Sequence, residues 1–179
     1  ISIGRSHWTK GYSLALDAMA LLKNDDIKFH YTIVGVVTDE ELLFQRNQLG
    51  LDQEVTFLDA LPFEEVTKLY QTSNVLLLPS VEEGIANVVL EAMALGTLVV
   101  STDCGGMREV INTGINGFLT PIRHPEAMAN IIQKVSKLSV EEYQTITKNA
   151  RITIENQHSE IKMVTNMQLL YKNVLNKAL

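Results

Sequence analysis

Short runs of aliphatic and β-branched residues alternate along the chain with longer stretches in which apolar positions recur every three or four residues. That alternation is the signature of a parallel sheet covered by helices. Ile1 to Ile3 reads as a first strand closed by Gly4, and Gly11 to Leu22 as a helix with Leu14, Ala18, Leu21 and Leu22 on one face. Phe29 to Val34 forms a second strand ending at Gly35, and Thr38 is placed to cap an acidic helix start, Asp39-Glu40-Glu41, that runs towards Gly50. Val55 to Leu58 is a third strand. Pro62 suits the start of a helix whose buried stripe is Val66, Leu69 and Tyr70. Val75 to Leu78 is almost wholly apolar, as a strand buried on both faces must be, and Pro79 ends it.

A helix from Asn87 to Leu95, a strand from Leu98 to Ser101, a Gly105-Gly106 turn, a short helix through Val110 and an Asn116-Gly117 turn before Phe118-Leu119 follow. The rest is helical. Pro125 opens a helix carrying Met128, Ile131, Ile132, Val135 and Leu138, and a second runs from Val140 to Asn156. A third, capped by Ser159, sets Ile161, Val164, Met167, Tyr171 and Val174 along one stripe, read as core or interdomain surface. No repeat or linker divides residues 1–179, so the expected fold is one α/β domain, a Rossmann-like doubly wound parallel sheet with helices on both faces and a helical C-terminal tail.

Composition narrows the chemistry. Lys and Arg total 15 against 21 Asp and Glu, a formal charge of -6, which argues against general nucleic-acid binding but leaves room for a small anionic ligand. The single cysteine, Cys104, excludes an internal disulfide and reads as a small buried residue; it suits a reducing compartment. The four histidines lack ligand spacing, so no metal site is expected. No apolar run approaches the ~20 residues of a membrane span. The chain opens on a strand without Met or signal peptide, and reads as a piece of a longer protein.

In doubly wound sheets ligands bind beyond the carboxyl ends of the strands. The loop after the first strand carries Arg5 and Lys10 between Gly4 and Gly11, two cations suited to a diphosphate. The loop after the most apolar strand carries Glu83 and leads to a helix whose first backbone N–H groups, from about Ile85, could meet the same anion. Glu91 lies about two turns further on, inside an otherwise apolar segment where an unpaired carboxylate would be costly. Two carboxylates near a diphosphate suggest a hydroxyl-rich, anionic ligand. His7 and Trp8 read as local packing, and Gly105-Gly106 as a tight turn with a ligand neighbour equally open.

The segment Glu83-Gly84-Ile85-Ala86-Asn87-Val88-Val89-Leu90-Glu91-Ala92-Met93-Ala94-Leu95-Gly96 closely resembles the motif of two glutamates separated by seven residues in retaining glycosyltransferases of family 4. Gly4-Arg5 with Lys10-Gly11, Val55 to Leu58, Leu78-Pro79-Ser80 and Gly105-Gly106-Met107-Arg108-Glu109 match the same family in the same order, over residues 1 to 175. The resemblance implies the C-terminal, donor-binding half of a GT-B fold, with most of the acceptor site on an absent N-terminal domain. It implies that Arg5 and Lys10 hold the donor diphosphate and that Glu83 contacts the transferred sugar, helped by backbone N–H groups of Gly84, Ile85, Ala86 and Asn87. It also implies that Val88 adds a backbone contact, that Glu91 binds the ribose hydroxyls, and that Ala60 and Leu61 face the base. Ile85-Ala86 stands where many relatives carry Phe-Gly or Phe-Pro, and Val36-Val37 where a second glycine is usual.

The activity implied is transfer of a sugar from a nucleotide-diphosphate-sugar to a hydroxyl acceptor with retained anomeric configuration, without metal or other cofactor. The partners implied are the donor, the chain's own N-terminal domain and an acceptor glycan or lipid-linked sugar. The setting is polysaccharide or glycolipid biosynthesis in the cytoplasm or at the inner face of the membrane. Two alternatives stand beside it: a nucleotide-sugar epimerase of the same architecture, and a non-catalytic nucleotide-sugar-binding module.

Overall fold

The computed structural model describes residues 1–177. Within them, strands and helices alternate as β1 (Ser2–Ile3), α1 (Tyr12–Asn24), β2 (Tyr31–Val34), α2 (Glu40–Gln48), β3 (Val55–Leu58), α3 (Phe63–Thr72), β4 (Val75–Leu78), α4 (Asn87–Leu95), β5 (Leu98–Thr102), α5 (Met107–Val110) and β6 (Phe118–Thr120). Three helices complete the chain: α6 (Pro125–Ser136), α7 (Val140–Gln157) and α8 (Glu160–Lys177).

The strands form two parallel ladders, β1-β2-β3 and β4-β5-β6. They are joined where β1 meets β4: the Ile1 nitrogen donates to Val75 O and Leu77 N donates to Ile1 O, both at 2.8 Å, the pattern of a parallel pair. Ser2 Oγ stitches the same seam, reaching Leu77 O at 2.5 Å and the Tyr31 hydroxyl at 2.6 Å. The spatial order is therefore 3-2-1-4-5-6. It reverses between β1 and β4, and all six strands deliver their following loops to one edge.

Successive strand residues feed two cores. Leu77, Leu98 and Val100 face the layer that holds α1 and α6, whereas Leu76, Leu78 and Val99 face the layer of α3, α4 and α7. Both faces being covered, β4 reads as a continuous apolar run, as expected. Leu16 and Leu76 have no exposed surface, and truncating either to Ala should cost about 2–5 kcal/mol through lost transfer energy and the cavity left behind.

Two expectations are corrected, and one is narrowed. The buried face of α1 is Tyr12, Ala15, Leu16, Ala18, Met19 and Leu22, with Leu14 and Leu21 only half-buried. It is rotated because the helix is sandwiched between α6 and the sheet rather than resting on one stripe. The cap of α2 is Asp39, not Thr38: its carboxylate accepts from Leu42 N at 2.9 Å. Ile161, Val164, Met167, Tyr171 and Val174 on α8 are all exposed, Ile161 by 79%, so of the two readings of that stripe, core or interdomain surface, the core one does not hold.

Candidate functional site

The loop from β1 to α1 is short and tightly held. Its Trp8–Lys10 stretch is a single 3-10 turn, with His7 Nδ1 accepting from Thr9 N and lying 2.8 Å from Thr9 Oγ1. Gly11 ends it at φ 64°, and a Cβ there would lie 2.2 Å from Pro79 O. Only glycine lets this loop press against the one after β4. Val81 N donates to Thr9 O at 2.7 Å and straps the two loops together.

That strap brings Lys10 to Glu83. Nζ lies 2.6 Å from Oε2, with the side chains only 23% and 22% exposed, and Ser80 Oγ, buried, approaches the same oxygen at 3.4 Å. Arg5, His7, Thr9, Lys10, Glu82 and Glu83 line a cavity of about 310 Å³ at the point where the strand order reverses. Arg5 is exposed and has no ion-pair partner among the described residues. Three of the residues singled out in the sequence thus share one cavity, two of them already paired. His7 lines it as well; its ring packs on Trp8 at 5.8 Å between centroids, while Trp8 itself stays 67% exposed.

Gly84 and Asn87 are exposed, Ile85 and Val88 half-buried and Ala86 buried, where α4 begins without a side-chain cap. Its first N–H groups are thereby left for a ligand or water. The Gly105-Gly106 pair backs this loop. Gly106 N donates to Gly84 O at 3.2 Å, and a Cβ on Gly105 would fall 1.6 Å from Glu83 O. The glycines hold Glu83 in place by close backbone approach.

Glu91 lies outside that cavity and is engaged with Tyr70, whose hydroxyl donates to Glu91 Oε2 at 3.0 Å, with Val88 O at 3.3 Å as the alternative acceptor. Burial, and then the Glu91 charge, pushes the Tyr70 phenol far above its ordinary range, so it stays a donor. Burial, and then the Glu83 charge, does the same to Tyr12, whose hydroxyl donates to Gly4 O at 3.2 Å. Cys104 is buried and its thiol is pushed up chiefly by that burial, which suits packing rather than nucleophilic attack. Ala60 and Leu61 follow β3; the Ala60 N–H is taken by the Asp59 carboxylate at 2.7 Å, so the carbonyl is what this backbone offers.

Sequence reasoning missed the partners rather than the principals. Tyr70 looked like a core residue of another helix, and nothing in its spacing tied it to Glu91. Thr9 gave no signal of its own, and Ser80 one only through the motif after β4. Among the described residues, no helix is long and apolar enough to cross a membrane.

Residues 1–153 match the family described as Glycosyl transferases group 1. A glycosyltransferase of Escherichia coli (strain K12), provisionally named for colanic acid biosynthesis, is 32% identical over 176 residues, covering 94% of this chain and 43% of the relative. Among solved structures, Anabaena HepE in complex with UDP-glucose superposes with a TM-score of 0.81 at 26% identity, over 98% of this chain and 48% of that one. The C-terminal domain of a group 1 glycosyl transferase from Francisella tularensis, solved on its own, shares the fold with a TM-score of 0.78 at 21% identity, over 89% of this chain and 85% of that one. The chain spans under half the length of the first two relatives. With the family matched across six-sevenths of its length, from β1 into α7, the chain belongs to the group 1 glycosyl transferases.

Proposed function

We propose that this chain is the C-terminal, donor-binding domain of a retaining, family 4 glycosyltransferase of the two-domain GT-B type. The enzyme transfers a sugar from a nucleotide-diphosphate-sugar to a hydroxyl of a glycan or lipid-linked acceptor, in polysaccharide or glycolipid biosynthesis. It works in the cytoplasm or at the inner membrane face, with the N-terminal domain supplying most of the acceptor site. The observation that carries this reading is the meeting of Arg5, Lys10 and Glu83 in one cavity at the strand-order reversal, next to the uncapped start of α4.

The chemistry follows from those groups. The donor diphosphate accepts from Arg5, Lys10 and the first N–H groups of α4. As the bond from the anomeric carbon to the phosphate oxygen breaks, the same donors stabilise the growing charge on the leaving nucleotide, with no metal or other cofactor. Glu83 accepts from hydroxyls of the sugar and Glu91 from those of the ribose, its position fixed by Tyr70. The Ala60 carbonyl and Leu61 face the base. The acceptor oxygen forms the new bond on the face the phosphate leaves, and its proton passes to the departing phosphate oxygen; that geometry retains the anomer.

HepE binds UDP and UDP-glucose, which makes these the first ligands to try. A thermal-shift panel of UDP, GDP, ADP and their sugar conjugates on this chain should single out one base. At a hundredfold excess over Kd the gain is about 2.7 kcal/mol, or roughly 5–11 °C for a chain of this size. No shift with any of them overturns the donor role. For the full-length enzyme, an inverted anomeric coupling in the product's proton spectrum overturns retention.

A further inference from the structure

The strand order turns the site edge of the sheet into a ruler. Read across it, the base is assigned to the loop after β3, the diphosphate to that after β1 and the sugar to that after β4, a single direction along the edge. Two more loops lie further the same way, after β5 and β6. With neighbouring strands about 4.8 Å apart, the end of β6 is roughly 10 Å beyond that of β4. That is one to two sugar rings past the transferred sugar.

A cavity of about 1130 Å³ lies there. Asp103 follows β5, Thr120 ends β6, and Arg108, Asn112, Ile122 and Gln157 complete the main lining. Arg108 forks onto Asp103, with Nε 2.5 Å from Oδ1 and a second bond from Nη2 to Oδ2. The Arg108 side chain of this pair stays 77% exposed, with further N–H groups open to a ligand. Asn116 forms a rigid wall: its Nδ2 donates to Val110 O and Thr153 Oγ1, each at 3.0 Å, and its Oδ1 accepts from Asn112 N at 2.7 Å. Thr120, 1% exposed, carries a hydroxyl with no hydrogen-bond partner among the described residues. Ile115 and Ile122 add exposed apolar surface at the rim.

We infer that this cavity is an acceptor-side subsite for a neutral saccharide. The exposed amides of Asn112 and Gln157 and a fork-shaped ion pair match hydroxyl pairs, and the two isoleucines match the apolar faces of a sugar ring. Two carboxylates, Asp103 and Glu109, against one guanidinium, Arg108, make the lining net negative and disfavour an anionic sugar. The position along the edge makes it an acceptor site rather than a second donor site. The inference rests on the donor assignment of the previous subsection.

The test separates the two. Spectra of the ¹⁵N-labelled chain are followed first with UDP, GDP and ADP and then with maltose, cellobiose and lactose, each taken to its solubility limit. A nucleotide should move the amides of residues 4–11 and 83–88. A disaccharide should move those of residues 112–115 and the side-chain amides of Asn112 and Gln157. Asn112→Trp, which fills the cavity from an exposed position, should weaken the disaccharide at least about tenfold while leaving nucleotide affinity within about twofold. If a nucleotide acts as expected but no disaccharide moves the cavity amides, or if Asn112→Trp leaves saccharide affinity unchanged, the subsite is wrong and the donor site stands. If no nucleotide moves its loops, the donor assignment falls, and this inference with it.

Discussion

Glu83→Gln should tighten binding of a bare nucleoside diphosphate while slowing sugar transfer. In the structure the Lys10 ammonium is held 2.6 Å from Glu83 Oε2, with both side chains more than three-quarters buried. A diphosphate arriving in that cavity must either take Lys10 from the carboxylate or sit beside a like charge. Glutamine keeps the size and the Ser80 approach, removes the competing charge and frees Lys10 for the ligand. Exposed ion pairs are worth about 0.2–1 kcal/mol, and breaking a buried one costs about 3–5. This pair lies between the two, and the incoming anion re-pairs the lysine, so a net gain of about 1–1.4 kcal/mol, five- to tenfold in Kd, is the expected scale.

For the nucleotide sugar the outcome differs. The amide makes neutral hydrogen bonds to the sugar in place of charge-assisted ones, giving back about 1 kcal/mol. The affinity for UDP-glucose, or for whichever conjugate the panel selects, should therefore barely change. Titration calorimetry on the parent, Glu83→Gln, Lys10→Met and the double variant measures this directly. In the Lys10→Met background the tightening should shrink severalfold, because no lysine remains to be released. Weaker diphosphate binding by Glu83→Gln, or equal gains in both backgrounds, would refute the exchange.

Gly105→Ala places a Cβ 1.6 Å from Glu83 O on a residue at φ 51°. Left-handed strain plus displacement of the Glu83 loop should total about 3 kcal/mol and lower Tm by about 6–12 °C; a calorimetric change below about 2 °C would show that the backing is dispensable. Tyr70→Phe removes the donor to Glu91 Oε2 at 3.0 Å, so urea unfolding should lose about 1.5–3 kcal/mol, with a severalfold loss in nucleotide affinity. Tyr12, Tyr31 and Tyr70 are all held protonated, first by burial. Their folded-state pKa values lie above the unfolded value of about 10, so the stability they contribute is fully present below about pH 10 and is lost as pH rises past it. Absorbance at 295 nm should show their ionisation arriving together with loss of the far-ultraviolet helix signal.

What was legible in the sequence was whatever local chemistry brackets. Val75–Leu78 and Asn87–Leu95 emerge with the expected bounds because Pro79 directly follows the first and Gly96 the second. The pairing of the β1 and β4 loops was also readable, since a doubly wound sheet sends both to one edge. The rest depended on what packs against what. An amphipathic stripe shows that a face exists, not whether anything covers it, which is why α8 stands exposed while the buried face of α1 is wider than its pattern suggests. Asp39 displaced Thr38 as a cap because a carboxylate one residue later reaches Leu42 N. Tyr70 and Glu91 are 21 residues apart on separate helices, and the cavity beyond β5 and β6 draws its lining from Asp103 to Gln157; neither has a local pattern to betray it.

The charge arithmetic bears directly on the proposed donor site. The chain is net acidic, and the cavity itself sets Arg5 and Lys10 against Glu82 and Glu83, so it offers no broad positive field to draw in polyanions. On the proposed donor role, its affinity would come from exchange at short range: phosphate oxygens would replace the carboxylate on Lys10 and cap the open N–H groups of α4. Such contacts are largely unscreened by salt once desolvated, unlike a surface patch. The same exchange favours turnover. While the sugar is present, Glu83 would be engaged with its hydroxyls and Lys10 with the diphosphate. Once the sugar has moved to the acceptor, the carboxylate would lose that partner and compete again for the lysine 2.6 Å away, weakening the hold on the nucleotide that must leave. A glutamine at this position cannot compete, so product release is the step that should slow in Glu83→Gln, which is why tighter diphosphate binding and slower transfer are expected together.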